Sequence, residues 1–269
     1  VLRAIQERNP GPLASDYVAS IFREIMSSCL ALEKPLSVAY LGPEGTYSQA
    51  AALKHFGQSA IPVGQSSIHE VFRQVESREC DYGVVPVENS TEGMVGQTLD
   101  SFLETPLQIT GEIELPVVHH LLGAASTHVD SVKLVLGHEQ ALAQCRQWLD
   151  SHLPDVPRET VASNGLAALR AAGETGVAAI AGDLAAHLHQ LTPLVNAIQD
   201  SSSNTTRFLV LGRESVPPSG HDKTSLLVSA RNRPGALLGL LRPFEENGIS
   251  LTRIDSRPSK TEKWTYVFY

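Results

Sequence analysis

The densest group of polar side chains in this 269-residue sequence is the octet from Ser201 to Phe208. It combines hydroxyl groups, one amide and one guanidinium, and the apolar run that follows is typical of a buried strand. Binding and catalytic residues are common where a loop enters a strand. A guanidinium matches the geometry of a carboxylate, and a hydroxyl can donate a hydrogen bond to a leaving oxygen. A Ser/Thr-rich turn that only caps the strand is the alternative.

Within this octet, residues 204–208 (Asn-Thr-Thr-Arg-Phe) resemble the signature of prephenate dehydratases. Three further blocks of that family are matched by residues 40–48, 84–93 and 198–200. The resemblance extends from about Pro35 to Gly212. One block alone would be a weak signal, but four blocks at the right distances are specific.

The resemblance implies a lyase that converts prephenate to phenylpyruvate, carbon dioxide and water without a cofactor. Prephenate carries a carboxylate and a pyruvyl group on one ring carbon and a hydroxyl group on the opposite carbon. Hydroxide is a poor leaving group, so the site must assist that oxygen while it orients a dianion. Two alternatives stay open: an arogenate dehydratase, which takes the amino analogue, and a non-catalytic cytosolic amino-acid-binding sensor with the same fold.

Four residues are the catalytic candidates. Thr206 matches the threonine directly before the signature arginine, so we expect it to donate to the leaving oxygen. Asn89 follows a predicted strand, where α/β folds place ligands, and Gln144 matches the family's second-lobe glutamine. Glu88 is a carboxylic acid whose pKa an apolar cleft could raise, or an ionised group that caps a helix or pairs with an arginine; we favour the second alternative.

The residues expected to contact the substrate are Thr46, Ser48, Ser90, Thr205, Arg207 and Phe208. Thr46 and Ser48 precede a helix whose N-terminal amides could hold a carboxylate, although both could be ordinary N-caps. Arg207 could clamp a substrate carboxylate or hold an acidic side chain within the cleft. Phe208 is more often a core residue than a stacking partner for a ring.

Strands and helices alternate from residue 37 onward, which predicts an α/β fold. The chain leaves the first sheet near Glu114 and returns near Ile198, so we expect a bilobed domain over residues 35–212, with the second lobe at about 115–195. The family resemblance implies the architecture of type II periplasmic binding proteins. Predicted strands are 37–41, 82–87, 107–115, 119–123, 133–137, 177–181 and 208–212, and predicted helices are 48–56, 68–78, 96–103, 138–151, 163–172 and 183–188.

Residues 1–34 are predicted to be helical, with Tyr17, Ile21 and Ile25 on one stripe. The segment resembles the last part of a helical chorismate mutase, the usual N-terminal partner in the bifunctional enzyme. The earlier long helix of that family, with its substrate-binding arginines, has no counterpart in the sequence. We therefore expect a non-catalytic remnant without mutase activity.

Residues 213–222 have the composition of a linker, and residues 223–269 resemble part of an α+β ACT regulatory domain. Strands are predicted at 223–230, 249–256 and 263–269, around a helix at 235–247. Because the ACT fold needs one more helix and strand, we expect the natural protein to continue. The resemblance implies L-phenylalanine binding between paired regulatory domains, and hence a homodimer or larger oligomer. The residues that match its two motifs are Gly235, Ala236, Leu237, Asp255, Ser256, Arg257 and Pro258, with Asn232 opening the first motif.

Composition excludes several classes of function. The net charge of −8 and the pI near 5.7 argue against nucleic acid, which requires a basic face. Cys29, Cys80 and Cys145 have no metal-binding spacing and fit a reducing cytoplasm. The histidine pairs at 119–120 and 187–189 lack further ligands, so no metal is expected. We expect neither a signal peptide nor a membrane span, because we find no leader pattern and no apolar run of the roughly 18–20 residues that a span needs.

Overall fold

Two α/β lobes form the middle of the chain, and shorter elements precede and follow them. The computed structural model describes residues 1–220, 222–230, 233–259 and 265–269. Helices α1 (Leu2–Glu7) and α2 (Ser15–Glu33) come first. Helix α2 contacts the first lobe where Gln58 N donates to Glu24 Oε2 at 3.0 Å.

The first lobe is built on a mixed sheet. Its strands are β1 (Ser37–Leu41), β2 (Ile61–Gln65), β3 (Tyr82–Asn89), β4 (Gly93–Met94), β5 (Gln108–Pro116) and β11 (Thr205–Gly212). The strand order is β2-β1-β3-β11-β5, and β4 pairs with β3. Strands β1, β2 and β3 are parallel, whereas β11 is antiparallel to both of its neighbours. The returning strand β11 therefore lies in the middle of the sheet.

Three helices cover the two faces of this sheet: α3 (Tyr47–Phe56), α4 (Ile68–Glu76) and α5 (Gly96–Phe102). Helix α4 begins where the Ser67 side chain accepts from Glu70 N, and every residue on its inward stripe is buried. Phe208 packs with α3 on one face, and Leu209 packs with α4 and α5 on the other. Successive residues of β11 thus point to opposite faces.

The second lobe has a five-stranded sheet with the order β10-β6-β9-β7-β8. Its strands are β6 (His120–Gly123), β7 (Leu134–Gly137), β8 (Arg158–Thr160), β9 (Val177–Ala181) and β10 (Thr192–Val195). Its helices are α6 (Glu139–Gln144), α7 (Arg146–His152), α8 (Asn164–Gly173) and α9 (Asp183–Leu188), with a 3-10 turn at Val129–Ser131. Every residue of the central strand β9 is buried, because helices cover both sides.

The chain crosses between the lobes twice, after β5 and before β11. The two crossings touch where Val117 N donates to Asn204 O at 2.9 Å. Residues just before β11 therefore lie at the junction of the lobes, beside the end of β3.

The C-terminal elements form a small antiparallel sheet and one helix. They are β12 (Val228–Ser229), α10 (Ala236–Glu246), β13 (Ser256–Pro258) and β14 (Tyr266–Phe268), and the strand order is β12-β14-β13. They contact the first lobe through Arg257, which bonds Asp100 at 2.9 Å, and through the Tyr269 hydroxyl, which donates to Leu99 O.

The predicted bilobed fold class is confirmed, with differences in detail. Strands β2, β4, β8 and β10 were not predicted; all are short, and β2, β8 and β10 carry weak apolar patterns at or next to sheet edges. The helix predicted at 138–151 breaks at Cys145, because the Asp200 carboxylate accepts from Gln147 N and Trp148 N and starts α7 afresh. The strand predicted at 249–256 is confined to Ser256–Pro258. Residues 263–264 of the last predicted strand, and Asn232, lie outside the described residues.

Candidate functional site

Polar side chains from both lobes meet at the junction between them. Asn89 ends β3, and Thr206 lies directly opposite it in the β3–β11 ladder. Asn204 precedes β11, and Gln144 ends α6 in the second lobe. Three of the four predicted catalytic residues, Thr206, Asn89 and Gln144, are therefore brought together, with Asn204 as a member that we had not singled out.

The amide of Asn89 has a single possible orientation. Its Oδ1 accepts from the backbone N–H groups of Thr91 at 3.0 Å and Glu92 at 3.2 Å, and from the Thr91 hydroxyl at 2.6 Å. A backbone N–H can only donate, so this side of the amide must be the oxygen. The opposite side, Nδ2, consequently donates to Asn204 Oδ1 and to Thr206 Oγ1, both at 2.8 Å.

This orientation determines the direction of the next hydrogen bonds. Because Asn204 Oδ1 accepts from Asn89, its Nδ2 faces Gln144 and donates to Oε1 at 2.9 Å. Gln144 Nε2 then donates to the Thr91 hydroxyl at 3.2 Å, which closes a ring of hydrogen bonds across the two lobes. Asn204 is only 3% exposed, so water cannot replace these partners without cost.

The same logic determines what the Thr206 hydroxyl can do. Its oxygen accepts from Asn89, so its own hydrogen points elsewhere. No acceptor for that hydrogen occurs within the described part of the chain. A hydroxyl that accepts a hydrogen bond is polarised and becomes a better donor. Thr206 can therefore offer a hydrogen bond to an oxygen of a bound molecule.

Gln144 is held from behind by backbone and side-chain contacts. Its backbone carbonyl oxygen accepts from Asp200 N at 2.7 Å, and its side-chain Oε1 lies 2.9 Å from His119 Nε2. Tyr47, from the first lobe, reaches the other ring nitrogen of His119 at 3.2 Å. We had not predicted roles for His119, Tyr47 or Thr91. Thr91 follows Asn89 by two residues, the spacing of an Asx turn, which was a usable signal.

Glu88 and Arg207 form an ion pair on the opposite face of the sheet from Thr206. Arg207 Nη1 lies 3.3 Å from Glu88 Oε2, and Arg253 from the C-terminal elements pairs with the other carboxylate oxygen. Arg207 Nε lies 3.8 Å from Glu112 Oε2. The structure thus displays the ion-pair alternative for both Glu88 and Arg207. Neither is carried forward as proton donor or substrate clamp.

Three further predicted substrate contacts, Phe208, Ser90 and Thr205, lie outside the ring of hydrogen bonds. Phe208 is 1% exposed within the first-lobe core, so its assignment as a substrate contact is corrected to core packing. The Ser90 hydroxyl donates to Ser203 O at 3.2 Å and accepts from Thr205 N at 2.9 Å, which ties the two loops of the site together. Thr205 precedes Thr206, so its side chain points to the other face of the sheet.

Thr46 is the N-cap of α3, which is one of the two roles that we predicted for it. Its hydroxyl accepts from Gln49 N at 3.4 Å and donates to Leu41 O at 3.1 Å. Ser48 is buried in the first turn of the same helix, and its hydroxyl has no hydrogen-bond partner among the described residues. Ser48 is therefore the freer of the two hydroxyls.

The two C-terminal motifs lie on separate elements. Gly235 adopts φ +77°, which favours glycine, and starts α10; Ala236 follows, and Leu237 is exposed. In the second motif, Asp255 exchanges backbone hydrogen bonds with Tyr269 at 2.9 and 3.0 Å, and Arg257 bonds Asp100 of α5. Ser256 and Pro258 are exposed on β13.

No group of three or more His, Cys, Asp or Glu side chains among the described residues is arranged to hold a metal ion. Among the helices that the structure describes, none combines the length and the apolar character needed to cross a bilayer.

Comparison with known proteins identifies the family of the chain. A family model for prephenate dehydratase matches residues 38–216, and an ACT domain model matches residues 224–269. The bifunctional chorismate mutase/prephenate dehydratase of Pseudomonas aeruginosa is 58% identical over 269 residues, which cover 100% of this chain and 74% of that protein. The prephenate dehydratase of Mycobacteroides abscessus is 38% identical over 242 residues, covering 86% of this chain and 79% of that protein.

A solved structure gives the same result. The prephenate dehydratase of Arthrobacter aurescens, determined in complex with L-Phe, superposes with a TM-score of 0.76 at 29% identity and covers 87% of this chain and 79% of that one. The family model spans well over half of the sequence, and both relatives share more than a third of their aligned residues with it. The chain therefore belongs to the prephenate dehydratase family.

Proposed function

We propose that the ring formed by Asn89, Thr91, Asn204 and Gln144 presents Thr206 to prephenate and drives its conversion to phenylpyruvate. The observation that carries this assignment is the direction of the hydrogen bonds. Backbone N–H groups orient Asn89, Asn89 donates to Thr206, and the Thr206 hydrogen is left for the substrate.

In this mechanism the ring carboxylate of prephenate leaves as carbon dioxide. The electron pair of the broken carbon–carbon bond moves through the ring and expels the hydroxyl group on the opposite carbon. One proton joins that oxygen to form water, and the ring becomes aromatic. Thr206 donates a hydrogen bond that strengthens as charge develops on the leaving oxygen. A threonine hydroxyl is too weak an acid to supply the proton alone, so the proton comes from solvent water.

Asn89 and Gln144 contribute from opposite lobes. Asn89 polarises Thr206 and holds its oxygen in place. Gln144 uses one Nε2 hydrogen for Thr91, and its second Nε2 hydrogen has no acceptor in the described part of the chain. That hydrogen is available to a carboxylate or carbonyl oxygen of the substrate. Ser48 and the first amides of α3 supply further donors for the dianion, because helix N-termini favour negative charge.

The test is turnover of purified protein with prephenate, followed by the ultraviolet absorbance of phenylpyruvate in alkali. We expect catalytic release of phenylpyruvate and carbon dioxide in equal amounts. The same assay with arogenate, scored as phenylalanine, tests the competing substrate. Binding of either compound without product formation would favour the sensor instead.

We divide the chain into the helical segment 1–34, the dehydratase domain 35–212 and the partial ACT domain 223–269. The proposed regulation concerns the last of these. L-phenylalanine binds the Gly235–Leu237 and Asp255–Pro258 motifs of paired subunits and inhibits the reaction. Two contacts support a path to the site: Arg257 bonds Asp100 on α5, and Arg253 pairs with Glu88, the residue before Asn89. The relative from A. aurescens was solved with L-Phe, which also supports the proposal.

Calorimetric titration with L-phenylalanine tests this regulation, together with sedimentation for the oligomeric state. We expect binding that does not compete with prephenate and that Arg257→Ala weakens. Competition with prephenate, unaffected by Ser256→Ala and Arg257→Ala, would remove the regulatory site and leave the dehydratase assignment intact.

A further inference from the structure

His119 is a buried histidine that the proposed reaction does not use directly. It is 2% exposed and lies between the two lobes. Its Nε2 is 2.9 Å from Gln144 Oε1, and its Nδ1 is 3.2 Å from the Tyr47 hydroxyl. Its backbone is also held, because His119 N donates to Gln199 Oε1 at 3.1 Å and its carbonyl accepts from Ile198 N at 2.8 Å. The ring therefore has a single defined position.

The protonation of this ring follows from the chain of amides. Gln144 Oε1 accepts from Asn204, so the atom that faces His119 is an oxygen. An amide oxygen can only accept, and His119 Nε2 must consequently carry a hydrogen. Burial lowers the pKa of His119, which favours the neutral ring. In the neutral ring Nδ1 is then an acceptor, and it faces the hydroxyl of Tyr47.

Tyr47 reaches His119 from the other lobe. It belongs to α3, and its single hydroxyl hydrogen is shared between two acceptors, Val118 O at 2.6 Å and the more distant His119 Nδ1 at 3.2 Å. The two rings meet edge to face, with centroids 5.8 Å apart. Gly182 leaves room for the tyrosine, since a Cβ there would lie 3.1 Å from the Tyr47 ring. Tyr47 thus sets the position of His119 relative to the first lobe.

We propose that His119 and Tyr47 are positioning residues, which hold Gln144 with its oxygen toward Asn204 and its amide hydrogens toward Thr91 and the substrate. Without the donor at His119 Nε2, Gln144 Oε1 accepts only the hydrogen bond from Asn204 Nδ2. The Gln144 amide can then rotate and break the ring of hydrogen bonds. The loss should fall on kcat more than on KM, because the misplaced hydrogen bond matters most in the transition state. This inference rests on the proposed function, but its structural half does not need substrate.

The first experiment measures the protonation of His119 by nitrogen-15 NMR on the intact protein, without substrate. We expect a neutral ring with hydrogen on Nε2. A ring with hydrogen only on Nδ1 would overturn the inference, whatever the activity. Absence of prephenate turnover together with the expected tautomer would refute the proposed function and leave this arrangement standing.

The second experiment compares His119→Leu with His119→Gln, whose amide can replace the Nε2 donor. We expect His119→Leu to lower kcat by about tenfold or more, the equivalent of one hydrogen bond, with a small change in KM. His119→Gln should recover most of that loss. If His119→Leu does not fold, Tyr47→Phe serves in its place, with an expected loss of a few fold in kcat. The matched control is His120→Asn, since His120 is also buried but accepts from Ala197 N and contacts Asp183 instead of Gln144.

A double-mutant cycle decides whether His119 acts through Gln144. In the background of Gln144→Ala, the change His119→Leu should cause no further loss of kcat. Independent, multiplying losses would overturn the positioning role. Equal loss of kcat for His119→Leu and His119→Gln would do the same.

Discussion

Asn204→Asp is the most informative single change in the ring, because it alters one hydrogen bond and leaves its neighbour intact. A carboxylate at this position can still accept from Asn89 Nδ2, which lies 2.8 Å from Asn204 Oδ1 in the wild type. Toward Gln144 it presents a second oxygen, at about the 2.9 Å that the amide nitrogen now occupies. Two acceptors then face each other in a site that is 3% exposed.

Protonation of the introduced carboxyl restores a donor toward Gln144. Burial and the facing oxygen both raise its pKa in the folded state, and a rise of about 2 units from an unfolded value near 3.9 is reasonable for such a site. The ionised form then costs about 2.7 kcal/mol of folding free energy near pH 8, at about 1.36 kcal/mol per unit. Because the folded pKa is the higher one, the penalty is complete above it and disappears as pH falls below the unfolded pKa.

The assay is urea unfolding of the variant and the wild type at matched pH values, with the difference in unfolding free energy as the readout. We expect that difference to shrink by about half near pH 5, and the ratio of variant to wild-type kcat to rise in parallel. Ser203→Asp is the control, since Ser203 is exposed and its carboxylate would be solvated. A penalty that is independent of pH, or absent near pH 8, would refute the assigned directions of these hydrogen bonds.

Three further predictions follow from other parts of the structure. Glu88→Gln should keep kcat within about tenfold, because Glu88 pairs with Arg207. A loss of about a thousandfold, together with loss of the fall in rate at high pH, would restore Glu88 as proton donor. Gly165→Ala should destabilise the protein by about 1–3 kcal/mol and weaken prephenate binding, because the new Cβ would lie 2.1 Å from Glu44 O across the junction of the lobes. Gly173→Ala, in the same helix, is the control: its Cβ would meet nothing within 4 Å, and it should change neither the unfolding free energy nor the kinetics. A thiol reagent should modify one cysteine quickly in the native protein, the exposed Cys29, because burial raises the pKa of the Cys145 thiol to about 12; fast reaction of more than one thiol before unfolding would contradict that burial.

The sequence predicted two central strands correctly and singled out signature residues that the structure brings together at the junction of the lobes. Strands β1 and β9 have the predicted bounds, because both are short, mostly apolar runs with a strand on each side. Every residue of β9 and the three central residues of β1 are buried. Thr206 and Asn89 could be predicted individually from the family signature. Their direct opposition in the ladder could not, because the register between β3 and β11 includes a bulge after Arg207.

Other features depend on contacts that no local pattern contains. The break at Cys145 needs the Asp200 carboxylate, which is more than fifty residues away in sequence. Glu88 and Asn89 are neighbours in sequence, yet Glu88 pairs with Arg207 and Asn89 donates to Thr206. Their roles differ because the two side chains point to opposite faces of the sheet. In the sequence, His119 was only one of a histidine pair without further metal ligands. Its contact with Gln144 joins residues 25 positions apart in the second lobe, and no local pattern indicates it.

Whether Thr206 donates to the leaving oxygen is tested most directly by the kcat for prephenate of Thr206→Ala and Thr206→Ser, compared with wild type. We expect a fall of about a hundredfold or more for Thr206→Ala, the typical effect of removing one transition-state donor, with an unfolding free energy close to that of wild type. Thr206→Ser keeps the hydroxyl and should lose less than about tenfold. Turnover of prephenate by the folded Thr206→Ala protein at the wild-type rate would contradict this role of Thr206.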